Sequence, residues 1–163
     1  MSTAERPVVV AFDGSKESKA AVRAAAELFP GRRLIVVSVW EPGLALAMTP
    51  PPDGLSGMSY APPSPETMAM VDRAQHDRST GAAEQGAALA RELGADAVPH
   101  AVPDELDVAE TLAGVADERD AAALVVGSRG LGRVKARLLG STSQGLLHHT
   151  RRPVVVVRAG DEP

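Results

Sequence analysis

Gly127, Gly130 and Gly140, with the hydroxyl run Ser141-Thr142-Ser143, are the residues whose types and spacing best suit chemistry. Two residues separate Gly127 from Gly130, nine separate Gly130 from Gly140, and Ser141 follows directly. Glycines reach positive φ and let a backbone approach a phosphate with no Cβ in the way. Hydroxyls at a helix start join free N–H groups and the helix dipole in an anion site. The spacing predicts a two-part cradle, Gly127–Gly130 forming one wall and Gly140–Ser143 the other. A basic arm holding Arg133, Lys135 and Arg137 lies between them. Two better-known phosphate loops do not fit. Gly127 and Gly132 have Walker spacing, but Arg133-Val134 stands where Lys-Ser is needed. Gly130-Leu131-Gly132 begins a dinucleotide fingerprint, yet its third glycine position is Lys135, and the segment does not follow the first strand. The plainer readings stay open beside the cradle: the glycines as turn residues, Ser141 as a helix cap and the basic residues as a solvated face.

The elements that must position this segment are legible as alternating apolar runs and Ala-rich amphipathic stretches. Runs at 8–12, 34–39, 97–102, 122–126 and 154–157 read as strands. Helices are expected at Lys16–Phe29, Ser64–Leu93, after Asp107, and at Ser141–His149. Ser15, Ser64 and Asp107 are their caps, and Pro30-Gly31 and Gly94 are stops. Gly81 and Gly86 are expected to weaken the long second helix. Five strands alternating with four helices predict an α/β fold, a Rossmann-like doubly wound parallel sheet. Residues 41–64, rich in Pro and Gly, read as an irregular insertion: a lid, an interaction surface or disorder. The 163 residues suit one domain, 1–163. Asp13, Val39 and Gly127 each close a predicted strand, and ligands of such sheets sit beyond the carboxyl strand ends. Asp13 also reads as a cap for the first helix.

Composition narrows the function classes. The net charge of −4 argues against a nucleic-acid binder, and no apolar run approaches a membrane span. Cysteine is absent, which excludes a disulfide framework and thiolate metal chemistry and fits the cytoplasm. Met1–Pro7 is polar and has no signal-peptide pattern. His148-His149 has no Asp, Glu or His at ligand spacing, so no protein metal site is expected. Beyond Asp13 no general base stands out, which favours holding a ligand over turning it over. The apolar Val154–Val157 run at the chain end predicts an exposed sheet edge that a twofold dimer would cover.

The glycine spacing resembles the G-2x-G-9x-G-[ST] motif of ATP-binding members of the universal stress protein family. The resemblance extends over VVVAFDGS at 8–15, LIVVSVWEP at 34–42, ALVVGSRG at 123–130 and RRPVVVVR at 151–158. It implies a regulatory, stress-associated ATP-binding module, with Mg2+ carried mainly by the phosphates, and a homodimer through Val154–Val157. By the same resemblance Asp13 contacts the ribose and the Val39 backbone faces the adenine. Gly127, Gly130, Gly140, Ser141 and Ser143 hold the phosphates, Arg129 sits at the loop tip, and Ala11 and Thr142 line the site. Many relatives carry His where this chain has Ser38, a departure expected to affect packing more than binding. The 41–64 loop is the candidate surface for a protein partner. Other ligands or roles left standing are AMP or cyclic AMP, slow ATP hydrolysis or nucleotidyl transfer, and an interaction protein that binds no nucleotide.

Overall fold

Short Val-rich runs cannot bury both faces alone, so they pair side by side and are covered by helices on each face. A computed structural model of the chain describes residues 6–47, 62–104, 107–128 and 141–159. Its elements are β1 (Val8–Ala11), α1 (Lys16–Leu28), β2 (Leu34–Trp40), α2 (Leu44–Ala47), α3 (Pro65–Glu92), β3 (Ala97–Pro103), α4 (Val108–Glu118), β4 (Ala123–Gly127), α5 (Ser141–His149) and β5 (Val154–Val157). All neighbouring strands are parallel, in the order β3-β2-β1-β4-β5. The chain steps outward from β1 to β2 and β3, crosses back, and continues through β4 to β5. The reversal therefore falls between β1 and β4.

Alternation along the strands builds two cores. Val8, Val10, Phe12, Leu34 and Val36 pack with α1 and α3, whereas Val9, Ile35 and Val37 pack with α4 and α5. Both β1 and β4 are buried nearly throughout, and β5 is half-buried at the edge. The opposite edge is β3, which carries Pro99 and Pro103; a proline without an N–H is tolerated on an edge strand.

The helix starts follow their caps. Ser15 accepts from Ser18 N, Ser64 from Thr67 N and Asp107 from Glu110 N. Two expectations need correction. The segment from 41 to 64 is not wholly irregular, because Leu44–Ala47 forms one helical turn anchored where Gly43 N donates to Asp72 Oδ1 at 2.8 Å. That makes five helices among the described residues instead of four. Gly86 is also more than a weak point in α3. A Cβ there would stand 2.7 Å from Val36 Cγ1 and 2.8 Å from Phe12 Cγ, so its absence lets α3 lie close on the sheet. A second clamp on α3 is Ser79 Oγ, buried and donating to Ser38 O at 2.9 Å.

At the amino ends of the strands, charged side chains join β1, β4 and β5. Arg152 bonds Asp117 Oδ1 at 2.8 Å and Asp120 Oδ1 at 2.7 Å, while Arg6 reaches Asp120 Oδ1 at 3.0 Å and Ala121 O at 3.0 Å. The bonded Arg152 guanidinium, with Arg6 beside it, holds the Asp120 carboxyl below its ordinary range.

Candidate functional site

At the opposite, carboxyl end of the sheet a cavity of about 340 Å³ opens between the helix layers. It adjoins the strand reversal, the position where doubly wound sheets leave a crevice. Its walls come from the ends of β1, β2 and β4, the middle of α3 and the first turns of α4 and α5. The volume lies within the range of small-molecule pockets.

The first wall is the turn after β1. Gly14 takes φ +82°, and Asp13 Oδ1 accepts from Ser15 N at 3.0 Å. Ser15, rather than Asp13, then caps α1, so the carboxylate is fixed at the strand end by its own turn. The second wall is β2. Its pairing with β1 stops at Ala11–Val37, but its pairing with β3 continues to Trp40–Pro103. Ser38, Val39 and Trp40 therefore run past the β1 ladder, and all three line the cavity. Trp40 meets His76 of α3 edge-on at 5.7 Å. Its Nε1–H is shielded from solvent and has no acceptor among the described residues. Such an unsatisfied buried donor costs about 1–3 kcal/mol.

Gly127 occupies the third wall, for a different reason from the one its spacing suggests. The described glycines with positive φ are Gly14, Gly31, Gly43 and Gly94. Gly127 instead ends β4, and a Cβ on it would stand 2.7 Å from Glu17 Cβ and 2.8 Å from the Glu17 carbonyl carbon. Its bareness seats the first turn of α1 against β4. Its carbonyl is held in turn by buried Ser143, whose Oγ donates to Gly127 O at 3.1 Å. That bond ties the first turn of α5 to the end of β4. Thr142 lines the cavity beside it, with Val108 and Leu112 of α4 forming an apolar side. Close packing of α5 on α4 is allowed by Gly145, where a Cβ would lie 2.7 Å from Ala109 Cβ.

The Usp model, described as the universal stress protein family, matches residues 5–158. The chain belongs to the universal stress protein family. Universal stress protein PHOS34 of Arabidopsis thaliana is 32% identical over 176 residues, covering 98% of this chain and 64% of that protein. This chain thus spans less than two thirds of that relative's length. The fold is similar to UspA of Lactobacillus plantarum, with TM-score 0.70 and 16% identity over 94% of this chain and 99% of that one. It is also similar to the Archaeoglobus fulgidus universal stress protein solved with dAMP, at TM-score 0.61 and 22% identity, covering 94% and 98% of the two chains. A further universal stress protein, solved with cAMP, matches at TM-score 0.60 and 23% identity, covering 96% and 98%.

Of the residues that the family resemblance assigns to the site, Ala11, Asp13, Val39, Gly127, Thr142 and Ser143 all line the cavity. Ser141 opens α5. Arg129, Gly130 and Gly140 lie outside the described residues. Sequence reading missed the α3 wall, where Gln75, Arg78, Ser79 and Ala82 face the cavity at helical spacing. The available signal was the small-residue row Ser79, Ala83, Gly86, Ala87 and Ala90, all buried against the sheet. Once that row sets the rotation of α3, the preceding turn falls over the cavity.

Proposed function

We propose that this cavity binds an adenine nucleotide and that the protein is a regulatory module whose surface changes with nucleotide occupancy. The observation that carries this reading is the convergence, at the strand reversal, of Asp13, Val39, Gly127 and Thr142 from separate elements. Each supplies what one part of a nucleotide needs. The Asp13 carboxylate accepts from ribose hydroxyls, and β2 backbone running past its neighbour offers hydrogen bonds to a base. The first turn of α5 offers N–H groups to phosphate. Family members solved with dAMP and cAMP support the ligand class.

ATP is the proposed physiological ligand, because the Gly127, Gly130, Gly140 and Ser141 spacing fits the ATP-binding motif in full. Among the described residues no group of three or more His, Cys, Asp or Glu could hold a metal ion. In this reading Mg2+ arrives bound to the phosphates. The two monophosphate complexes favour one second reading, AMP or cyclic AMP in the same cavity. A homodimer through β5, a cytoplasmic location and a partner surface around residues 41–64 complete the proposal.

Calorimetry with ATP, AMP and cyclic AMP tests it. ATP should bind, and Asp13→Ala and Gly130→Val should each weaken binding at least about tenfold while the circular dichroism spectrum stays native. No heat with any of the three nucleotides, and none released on denaturing the purified protein, would leave the cavity without this role.

A further inference from the structure

The sheet has two edges, and the seven residues of β3 make a longer one than the four of β5. In a parallel pair, alternate residues turn both backbone groups to the neighbour, and those between turn both groups away. Two bonds set the phase on β3. Leu34 N donates to Asp96 O at 2.8 Å, and Asp104 N donates to Trp40 O at 2.7 Å. With the register running from Leu34–Ala97 to Trp40–Pro103 between them, Val98, His100 and Val102 also face β2. Ala97, Pro99, Ala101 and Pro103 therefore aim their backbone groups at the open edge.

Both prolines of β3 fall in that outward row. At Val98, His100 or Val102 a proline would cost a bond to β2. At 99 and 103 it removes only a donor that a further strand would need. The outward carbonyl of Ala97 is taken as well, because Arg91 Nε donates to it at 3.0 Å. Glu84 steadies that guanidinium, accepting from Arg91 Nη1 at 2.8 Å. Within the row, among the described residues, only Ala101 keeps an outward N–H beside an uncapped carbonyl. Val98 is exposed on the same strand, and a long edge with exposed apolar side chains invites pairing when its ladder is intact.

We infer that the β3 edge is shut to strand addition by Pro99, Pro103 and Arg91, which leaves backbone pairing to the β5 edge. The closure is a property of β3 and stands apart from the β5 dimer proposed above. Joined to that dimer, it makes the pair a closed assembly. A second open edge would let pairs chain on without end.

Pro99→Val with Pro103→Val and Arg91→Met reopens the row. In sedimentation at about 10 µM this triple variant should have at least about twice the mass of the unaltered protein. Adding Ala101→Pro, which puts one proline back in the row without touching β2, should return the mass to that of the unaltered protein. A folded triple variant of unchanged mass would overturn the inference. So would a rise in mass that Ala101→Pro leaves in place, since side chains and not the ladder would then join the chains. If the triple variant precipitates, recovery of soluble protein by Ala101→Pro supports the closure, and continued precipitation overturns it. In the otherwise unaltered chain, Ala101→Pro should leave the melting temperature nearly in place, whereas His100→Pro should lower it by roughly 5 °C or more. Equal losses would overturn the outward assignment.

Discussion

Adding a single methyl group at Gly127 should be felt first in α1, since Glu17 occupies the space that the methyl needs. Backbone cannot swing aside as the end of a long side chain can, so α1 or β4 must shift. Overpacking of this kind costs about 2 kcal/mol. We expect Gly127→Ala to lower the melting temperature by roughly 5 °C in thermal denaturation. An unchanged midpoint would mean that the helix yields freely. The residue shows both the reach and the limit of sequence reading. Its place at a strand end beside the cavity was legible, because apolar runs announce where strands stop. Its physical reason was not, because a missing Cβ serves positive φ, phosphate approach and helix seating equally. Asp13 is similar: its position was readable, but only coordinates show that it closes its own turn and leaves the capping of α1 to Ser15.

At the scale of elements, the strands were plain because a buried parallel strand is an uninterrupted apolar run. The one-turn α2 was not, since Leu44–Ala47 is too short to display a helical period. The α3 wall escaped for another reason. Which face of a long helix looks at a cavity depends on its rotation against the sheet, and a moderate preference for small residues sets that rotation here. The edges also differ in what they invite. The β3 edge is interrupted by Pro99 and Pro103, whereas β5 is four valines paired, among the described residues, with β4 alone. An apolar edge of this kind favours association unless something covers it. On the proposal of a β5 dimer, sedimentation at about 10 µM should give twice the chain mass, and Val155→Lys should shift it toward the monomer. A monomeric mass for the unaltered protein would remove the dimer from the proposal.

For the whole molecule, the alternation of strand and helix made a parallel sheet legible, and all neighbouring strands are parallel. Where the strand order reverses depends on which neighbours β4 finds. That is a property of the assembled sheet and of no single segment. One consequence of assembly concerns His100, half-buried on β3. Burial, and then the nearby positive charge of Arg119, push its imidazole below the ordinary 6.5, against a smaller opposing pull from Glu118. The folded state thus binds the proton less readily than the unfolded chain. Stability from neutral His100 is complete above 6.5 and is lost as the pH falls below it. Chemical denaturation of His100→Gln should therefore show a shallower loss of stability on acidification from about pH 7.5 to 5.5 than the unaltered protein. Parallel slopes would count against the linkage.

Strand polarity also settles how the protein can be held for study. Every strand points its carboxyl end to the side of the sheet on which the cavity lies, and there Ser128 N, one residue past Gly127, donates to the carbonyl of Val157, the last residue of β5. Arg6, in contrast, is clasped at the far rim by Asp120. A bead, surface or fused domain placed ahead of β1 therefore starts from the side of the sheet opposite the cavity. A domain fused beyond β5 starts instead from the side of the sheet on which the cavity opens.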